Sequence, residues 1–264
     1  MEHKQVKTAR RVVHYWVSGK GDGFIVFTHG ATMDHGMFDS QVSHFSDNWK
    51  TITWDVPAHG LSRPYEEFSL EDAADDLVRI LDQEGVTSAH LVGQSMGGYI
   101  IQFTAIRHPT RVTSLTMIGS SPLDPTYYSS MDRWLLSITP GLLKLYPYNY
   151  LVNLIASQIS TTESARSYAY ETLMTMTKKE ISSIMMSVYQ GVMAYEKQDP
   201  INLPILLTYG DRDTSGKVQA YCKTWAAREN RPLKVIATAA HNANMDNPEE
   251  FNRILEEFLI AIGD

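Results

Sequence analysis

The feature that most constrains this chain is an alternation. Short runs rich in β-branched and aromatic residues are separated by stretches whose apolar residues recur every three or four positions. Residues 24–28 (Phe-Ile-Val-Phe-Thr) form a continuous apolar run, as a strand buried on both faces should. Residues 50–55, 89–93, 114–118, 204–209 and 233–236 read as further strands, and 11–17 as an early, antiparallel one. Between them, 69–84 opens with Ser69 as a helix cap and Asp72 three residues on. Its residues Leu70, Ala73, Ala74, Leu77, Ile80 and Leu81 fall on one face. Residues 96–108 form a second helix, stopped by Pro109. Residues 249–262 form a third, with Phe251, Ile254, Leu255, Phe258 and Leu259 as its stripe. Strands alternating with helices predict an α/β fold, a mostly parallel twisted sheet with helices on both faces.

The alternation fails between residues 121 and 199. That segment has no strand pattern, is rich in Met, Tyr and Leu, and lies between two sheet strands. The expected division is therefore a core of residues 1–120 and 200–264 with an inserted helical cap, 121–199. A chain of 264 residues with 43% hydrophobic content can bury one such core.

Charge removes other classes of function. A net charge of -7 with scattered basic residues argues against nucleic acid, whose phosphates require a clustered positive surface. The basic run Lys4, Lys7, Arg10 and Arg11 reads as a solvated N-terminal stretch. No segment reaches the roughly 18 consecutive apolar residues of a membrane span. The start, Met-Glu-His-Lys-Gln, lacks the apolar run of a signal peptide, so the expected location is cytoplasmic. Cys222 is the single cysteine, has no motif around it and reads as an inert thiol.

Gly93-Gln94-Ser95-Met96-Gly97-Gly98 follows a buried strand and opens a helix. In that context a Gly-x-Ser-x-Gly string predicts a tight turn that holds Ser95 above the sheet as a nucleophile. It also sets the Met96 N–H at a helix N-terminus, where the dipole favours negative charge. The loop Phe27-Thr28-His29-Gly30-Ala31-Thr32 supplies a second donor, the Ala31 N–H, so that Ala31 and Met96 form the expected oxyanion hole. The His29 ring is read as a loop support. A serine hydroxyl needs a positioned base. Among nine histidines His241 fits that role, in a loop leaving the carboxyl edge of the last strand. Asp213, in Gly210-Asp211-Arg212-Asp213, is the expected acid that orients the ring, with Asp211 and Asp124 as alternatives.

Taken with Asp55-Val56-Pro57-Ala58-His59-Gly60-Leu61-Ser62, these motifs make the chain resemble the α/β-hydrolase superfamily. Within it, the capped serine hydrolases of carboxylesterase and enol-lactonase type are the nearest in pattern. The sequence departs from the family at Ala58 and at Ala240, where glycine is frequent. The resemblance implies no metal or organic cofactor. It implies hydrolysis through an acyl-enzyme, with a small to medium, mostly apolar carboxylic ester or thioester as the expected substrate. A lactone, an amide or a carbon–carbon bond is the alternative, and a receptor without turnover a third reading. Trp134, Met185, Met186, Tyr189 and Met193, with Leu135 and Val192, are the candidate lining of the acyl pocket. The expected partner is a small ester-like molecule, and a homodimer is left open.

Overall fold

The structure is a computed structural model. It describes residues 1–8, 11–64, 67–143, 145–196 and 200–263. Eight strands form one sheet in the order β1-β2-β4-β3-β5-β6-β7-β8. They are β1 (Glu2–Lys7), β2 (Val12–Ser18), β3 (Phe24–Thr28), β4 (Lys50–Trp54), β5 (Ala89–Gln94), β6 (Val112–Ile118), β7 (Ile205–Gly210) and β8 (Leu233–Ile236). The first two strands pair antiparallel, β2 pairs antiparallel with β4, and all later pairs are parallel. The helices are α1 (Asp39–Phe45), α2 (Leu70–Gln83), α3 (Met96–Arg107), α4 (Ser130–Leu143), α5 (Tyr148–Ile159), α6 (Glu163–Met174), α7 (Lys178–Ala194), α8 (Val218–Glu229), α9 (Ala243–Asp246) and α10 (Pro248–Ala261).

The hydrophobic pattern explains each placement. All six residues of β5 are buried, because helices cover the sheet on both sides of this central strand. Helix α2 starts where Ser69 accepts the Asp72 N–H at 3.1 Å, and its apolar stripe, Leu70 to Leu81, is buried. Helix α3 is buried on most of its circumference, with Ile100, Ile101, Phe103 and Thr104 all enclosed. Trp54, Tyr15, Phe27, Phe38, Phe45 and Phe251 are the largest fully buried side chains.

The chain runs from β3 to β4 on one side, then returns across β3 to lay down β5 on the other. At such a reversal the two following loops diverge and leave a crevice above the carboxyl ends of the strands. The loop after β3 carries Ala31, and the turn after β5 carries Ser95. Helices α4 to α7 lie between β6 and β7 and pack as two pairs, α4 with α7 and α5 with α6. The expected end of the insertion, residues 197–199, lies outside the described residues.

One expectation needs correction. Part of the basic N-terminal run is an edge strand, with β1 registered on β2 from Glu2↔Val17 to Lys7↔Val12. The Arg11 side chain, 7% exposed, forms an ion pair of 2.5 Å with the buried carboxylate of Asp76 on α2. Arg10 lies outside the described residues. Burying a carboxylate is expensive unless it is paired, so Asp76 holds Arg11 where composition alone suggested solvent. Among the described residues no helix is long and apolar enough to cross a membrane.

Candidate active site

The turn after β5 has the strain that its glycines suggest. Ser95 sits at φ 49° and ψ -112°, which an L-residue rarely adopts, and its N–H is tied to Ile118 O of β6 at 2.9 Å. The flanking glycines are required by space. A Cβ on Gly93 would lie 2.5 Å from the Gly97 carbonyl, and one on Gly97 would meet the Thr28 carbonyl. Ser120 on the next loop donates to Ser95 O at 2.9 Å and completes the frame. The Met96 N–H begins α3. No acceptor bonds it or the Ala31 N–H among the described residues, so both remain available to a ligand.

His241 and Asp213 meet. The carboxylate can only accept, so the 2.8 Å contact is His241 Nδ1–H donating to Asp213 Oδ2, which leaves Nε2 outside that bond. Asp213 Oδ1 accepts the Ser215 N–H at 2.8 Å. Burial by itself would raise the Asp213 pKa. The His241 ring and the Ser215 N–H outweigh it and hold the carboxyl below its ordinary value. The alternative acids turn elsewhere: Asp211 Oδ1 accepts the Ala239 N–H at 3.1 Å, and Asp124 Oδ1 accepts the Thr126 N–H at 2.8 Å.

Ser95, Met96, Ala31 and His241 line one cavity of about 300 Å³. Its roof is built by the inserted helices through Leu136 of α4, Ile155 of α5 and Met185, Val188 and Tyr189 of α7. Of the expected lining, Met185 and Tyr189 face the cavity, and Trp134, Met186 and Met193 do not. Trp134 is 57% exposed on the outer side of α4, and Leu135 is exposed beside it. Met193 packs against the hydrophobic core, as does the buried Val192. Spacing along a helix says which residues share a face, not which face turns to the cavity. The residues of α4 that line the cavity are Leu136 and Thr139, beyond the two proposed.

Three residues of the site carried no role in the sequence reading. Gly119, just after β6, has φ +56°, and a Cβ there would lie 3.0 Å from His241 Nδ1 and 3.2 Å from Asp213 Oδ2. Its backbone forms the floor under the pair. Gln94 donates from Nε2 to His241 O at 3.0 Å, while its Oε1 occupies the space a Gly30 side chain would need. Tyr99 on α3 lines the cavity and shares a hydrogen bond of 2.7 Å with Ser121 Oγ, itself 2.7 Å from Tyr128 OH. Tyr128 donates to Pro122 O at 2.6 Å, so the three hydroxyl protons run in one direction, away from the cavity. Gln94 stood inside the Gly-x-Ser-x-Gly string, and its position was the available signal. Gly119 and Tyr99 had none without the fold.

His29 and Asp55 brace the loops beside the site. His29 accepts the Val56 N–H at Nε2, 3.0 Å, and donates from Nδ1 to Gly30 O, 2.8 Å, bracing its loop against the one after β4. Burial lowers its pKa, which keeps the ring neutral. Asp55 accepts the Leu61 N–H at 2.6 Å and both His35 N–H groups, backbone at 2.9 Å and ring at 2.8 Å. This holds the 55–62 turn, where Ala58 takes φ 72°. The Cys222 thiol is buried, and burial raises its pKa to about 12, so it is no nucleophile at neutral pH.

Comparison with known proteins agrees with this architecture. The profile of the alpha/beta hydrolase fold family matches residues 23–248. The 3-oxoadipate enol-lactonase 1 of Acinetobacter baylyi is 26% identical over 249 residues, covering 90% of this chain and 89% of that protein. The pimeloyl-[acyl-carrier protein] methyl ester esterase of Yersinia enterocolitica is 25% identical over 260 residues, covering 92% and 96%. A thermophilic esterase from Thermogutta terrifontis superposes with a TM-score of 0.83 over the whole of both chains at 16% identity, a likeness of fold. With a profile match over most of its length, an eight-stranded, mostly parallel sheet and hydrolases among its relatives, the chain belongs to the α/β-hydrolase family.

Proposed function

We propose that the protein is a serine hydrolase acting on a small to medium, uncharged carboxylic ester or thioester, with residues 121–199 as its cap. Ser95 is the nucleophile, His241 the general base and Asp213 the acid that orients the ring. The observation that carries this reading is the 2.8 Å His241–Asp213 pair opening onto the same cavity as a serine held at φ 49°. His241 Nε2 takes the Ser95 proton as Oγ attacks the acyl carbon. The N–H groups of Ala31 and Met96 receive the oxyanion, each worth roughly 3–4 kcal/mol in the transition state. The protonated ring then delivers its proton to the leaving group. Water, activated by the same nitrogen, releases the acid and restores Ser95. Proton transfer of this kind contributes about 10²–10⁴-fold.

The cavity supports the choice of substrate. Among the described residues lining it, Lys217 is the one lysine, arginine or carboxylate, and its ammonium is held by Asp132 of α4 at 2.6 Å. A free carboxylate on the substrate would find no unengaged cation there. The names of the relatives bring both an ester and an enol-lactone within reach, and the adipate relative acts on a carboxylate-bearing molecule. A neutral ester fits this cavity better than that acid. A lactone ring of similar size is the second reading.

A fluorophosphonate probe tests the nucleophile, and is expected to label the wild-type protein and not Ser95→Ala. A panel of p-nitrophenyl esters against neutral lactones tests the substrate class. Absence of labelling on folded protein would sink the enzyme reading in favour of a receptor.

A further inference from the structure

Asp246 ends α9, five residues beyond His241, and no step of the mechanism above uses it. Its carboxylate is buried, and among the described residues its charge is met by N–H and O–H donors alone. Oδ1 accepts the Thr161 N–H at 2.8 Å, the Thr162 N–H at 2.9 Å and the Thr162 hydroxyl at 3.1 Å. Oδ2 accepts the Thr161 N–H at 2.9 Å and the Ala240 N–H at 2.8 Å. Thr161 and Thr162 belong to the link between α5 and α6, with Thr162 capping α6, and Ala240 immediately precedes His241. One carboxylate therefore joins the inserted helices to the loop of the base.

The neighbouring bonds point the same way. The Asn242 N–H donates to Ile159 O at 2.7 Å, and Asn242 Nδ2 donates to Ser160 Oγ at 3.1 Å. The His241 carbonyl is held by Gln94. Three consecutive residues, 240 to 242, are thus anchored: Ala240 by Asp246, which the α5–α6 link holds in turn, and Asn242 by the last residue of α5 and by Ser160 of the link. A backbone held at three points leaves the imidazole little freedom to swing from Asp213.

We infer that Asp246 is a positioning residue for His241, and that through it the α5–α6 link is a fixed part of the active-site frame. This rests on the reading of His241 as the base. The requirement is for a carboxylate, because both oxygens must accept. In Asp246→Asn one oxygen becomes an NH₂ group. The side that takes the Thr161 N–H, Thr162 N–H and Thr162 hydroxyl on Oδ1 keeps the oxygen, so the amide nitrogen replaces Oδ2 and meets the Ala240 N–H, and the second contact of the Thr161 N–H, donor against donor. The substitution preserves shape and the three Oδ1 contacts to the insertion, and breaks the link to Ala240, next to His241.

The test compares Asp246→Asn with Thr177→Ala, which removes the capping box of α7 away from the loop. Asp246→Asn is expected to lower kcat roughly 10²-fold, as a misplaced catalytic group does, with KM within about 3-fold. Thr177→Ala lowers the melting temperature and leaves kcat within about 2-fold. The downfield proton resonance of His241 Nδ1–H on Asp213 needs no turnover to observe. It is expected to shift or broaden in Asp246→Asn and to stay in place in Thr177→Ala. Should Asp246→Asn fail to fold, an ester in place of the 239–240 amide deletes the Ala240 N–H alone, with the same expected loss of kcat. Unchanged kcat and resonance in either variant, or losses that only follow melting temperature as in Thr177→Ala, overturn the inference. If the wild-type protein resists the fluorophosphonate probe, the serine-hydrolase reading fails, and the resonance still reports whether Asp246 positions the ring.

Discussion

The loops at the carboxyl edge of the sheet and the helices that roof them hold their residues in different ways. At the sheet edge, position is set by backbone: Ser95 at positive φ, Gly93 and Gly97 within touching distance of other main chain, Gly119 under the His241–Asp213 pair. Space there admits one residue type. In the roof, Leu136, Ile155, Met185 and Val188 present side chains from helix faces, where another apolar residue of similar volume would pack. On the proposed reading the first region would specify the chemistry and the second would select the substrate, and their tolerance to substitution should differ accordingly.

The largest effect that would sharpen this contrast is at Gly119. Gly119→Ala brings a Cβ to 3.0 Å from His241 Nδ1 and forces an L-residue to φ +56°. Activity towards the best ester should fall roughly 10²-fold, with about 1–2 kcal/mol of stability lost from the strained backbone. Steady-state kinetics and urea unfolding check both, and wild-type activity in Gly119→Ala would break the contrast. In the roof, Met185→Ala should raise KM for the preferred chain length about 10-fold and shift the optimum to longer chains, with kcat nearly kept. Trp134→Ala, on the outer side of α4, should leave KM unchanged and stability within about 0.5 kcal/mol. Equal effects from the two would show that α4 and α7 do not select the substrate.

Acid should expose the sheet edge next. The pKa values of Asp213 and Asp55 are both held down, against their burial, by histidine and N–H partners. A carboxyl with a depressed folded-state pKa stabilises the protein above its unfolded value, the ordinary 3.8 of an aspartate, and loses that contribution as pH falls through the folded value. Urea midpoints measured downwards from pH 5 should therefore drop, and Asp213→Asn should flatten the fall. A midpoint independent of pH over that range would contradict the pairing. The smallest expected effect is a gain. Ala58 sits at φ 72°, where the glycine frequent in relatives is free of strain, so Ala58→Gly should stabilise the protein by about 0.5–1 kcal/mol in thermal unfolding.

Much of this was legible in the sequence, for identifiable reasons. The strands read at 24–28 and 89–93 stood out because a strand covered on both faces is largely apolar, as β3 and β5 are. Ser95, Asp213 and His241 stood out because each follows a strand on the edge where such loops gather. Edge strand β1 was hidden, since an edge strand has a solvated side and reads as polar chain. Helix α8 was hidden too, as only Cys222 and Trp225 of its residues are buried. At Ala58 the departure from glycine was visible and the positive φ beneath it was not.

The sequence by itself determined the alternating core and the three loops that carry Ser95, Asp213 and His241, because periodicity and tight-turn glycines are local properties. Only the tertiary structure decided that Leu136 and not Trp134 faces the cavity, that Gly119 underlies the histidine, and that Asp246 ties the α5–α6 link to the loop of His241. Those contacts join residues between about 80 and 120 positions apart, and their geometry depends on how helices rotate and loops converge after the sheet has formed, which no local pattern encodes.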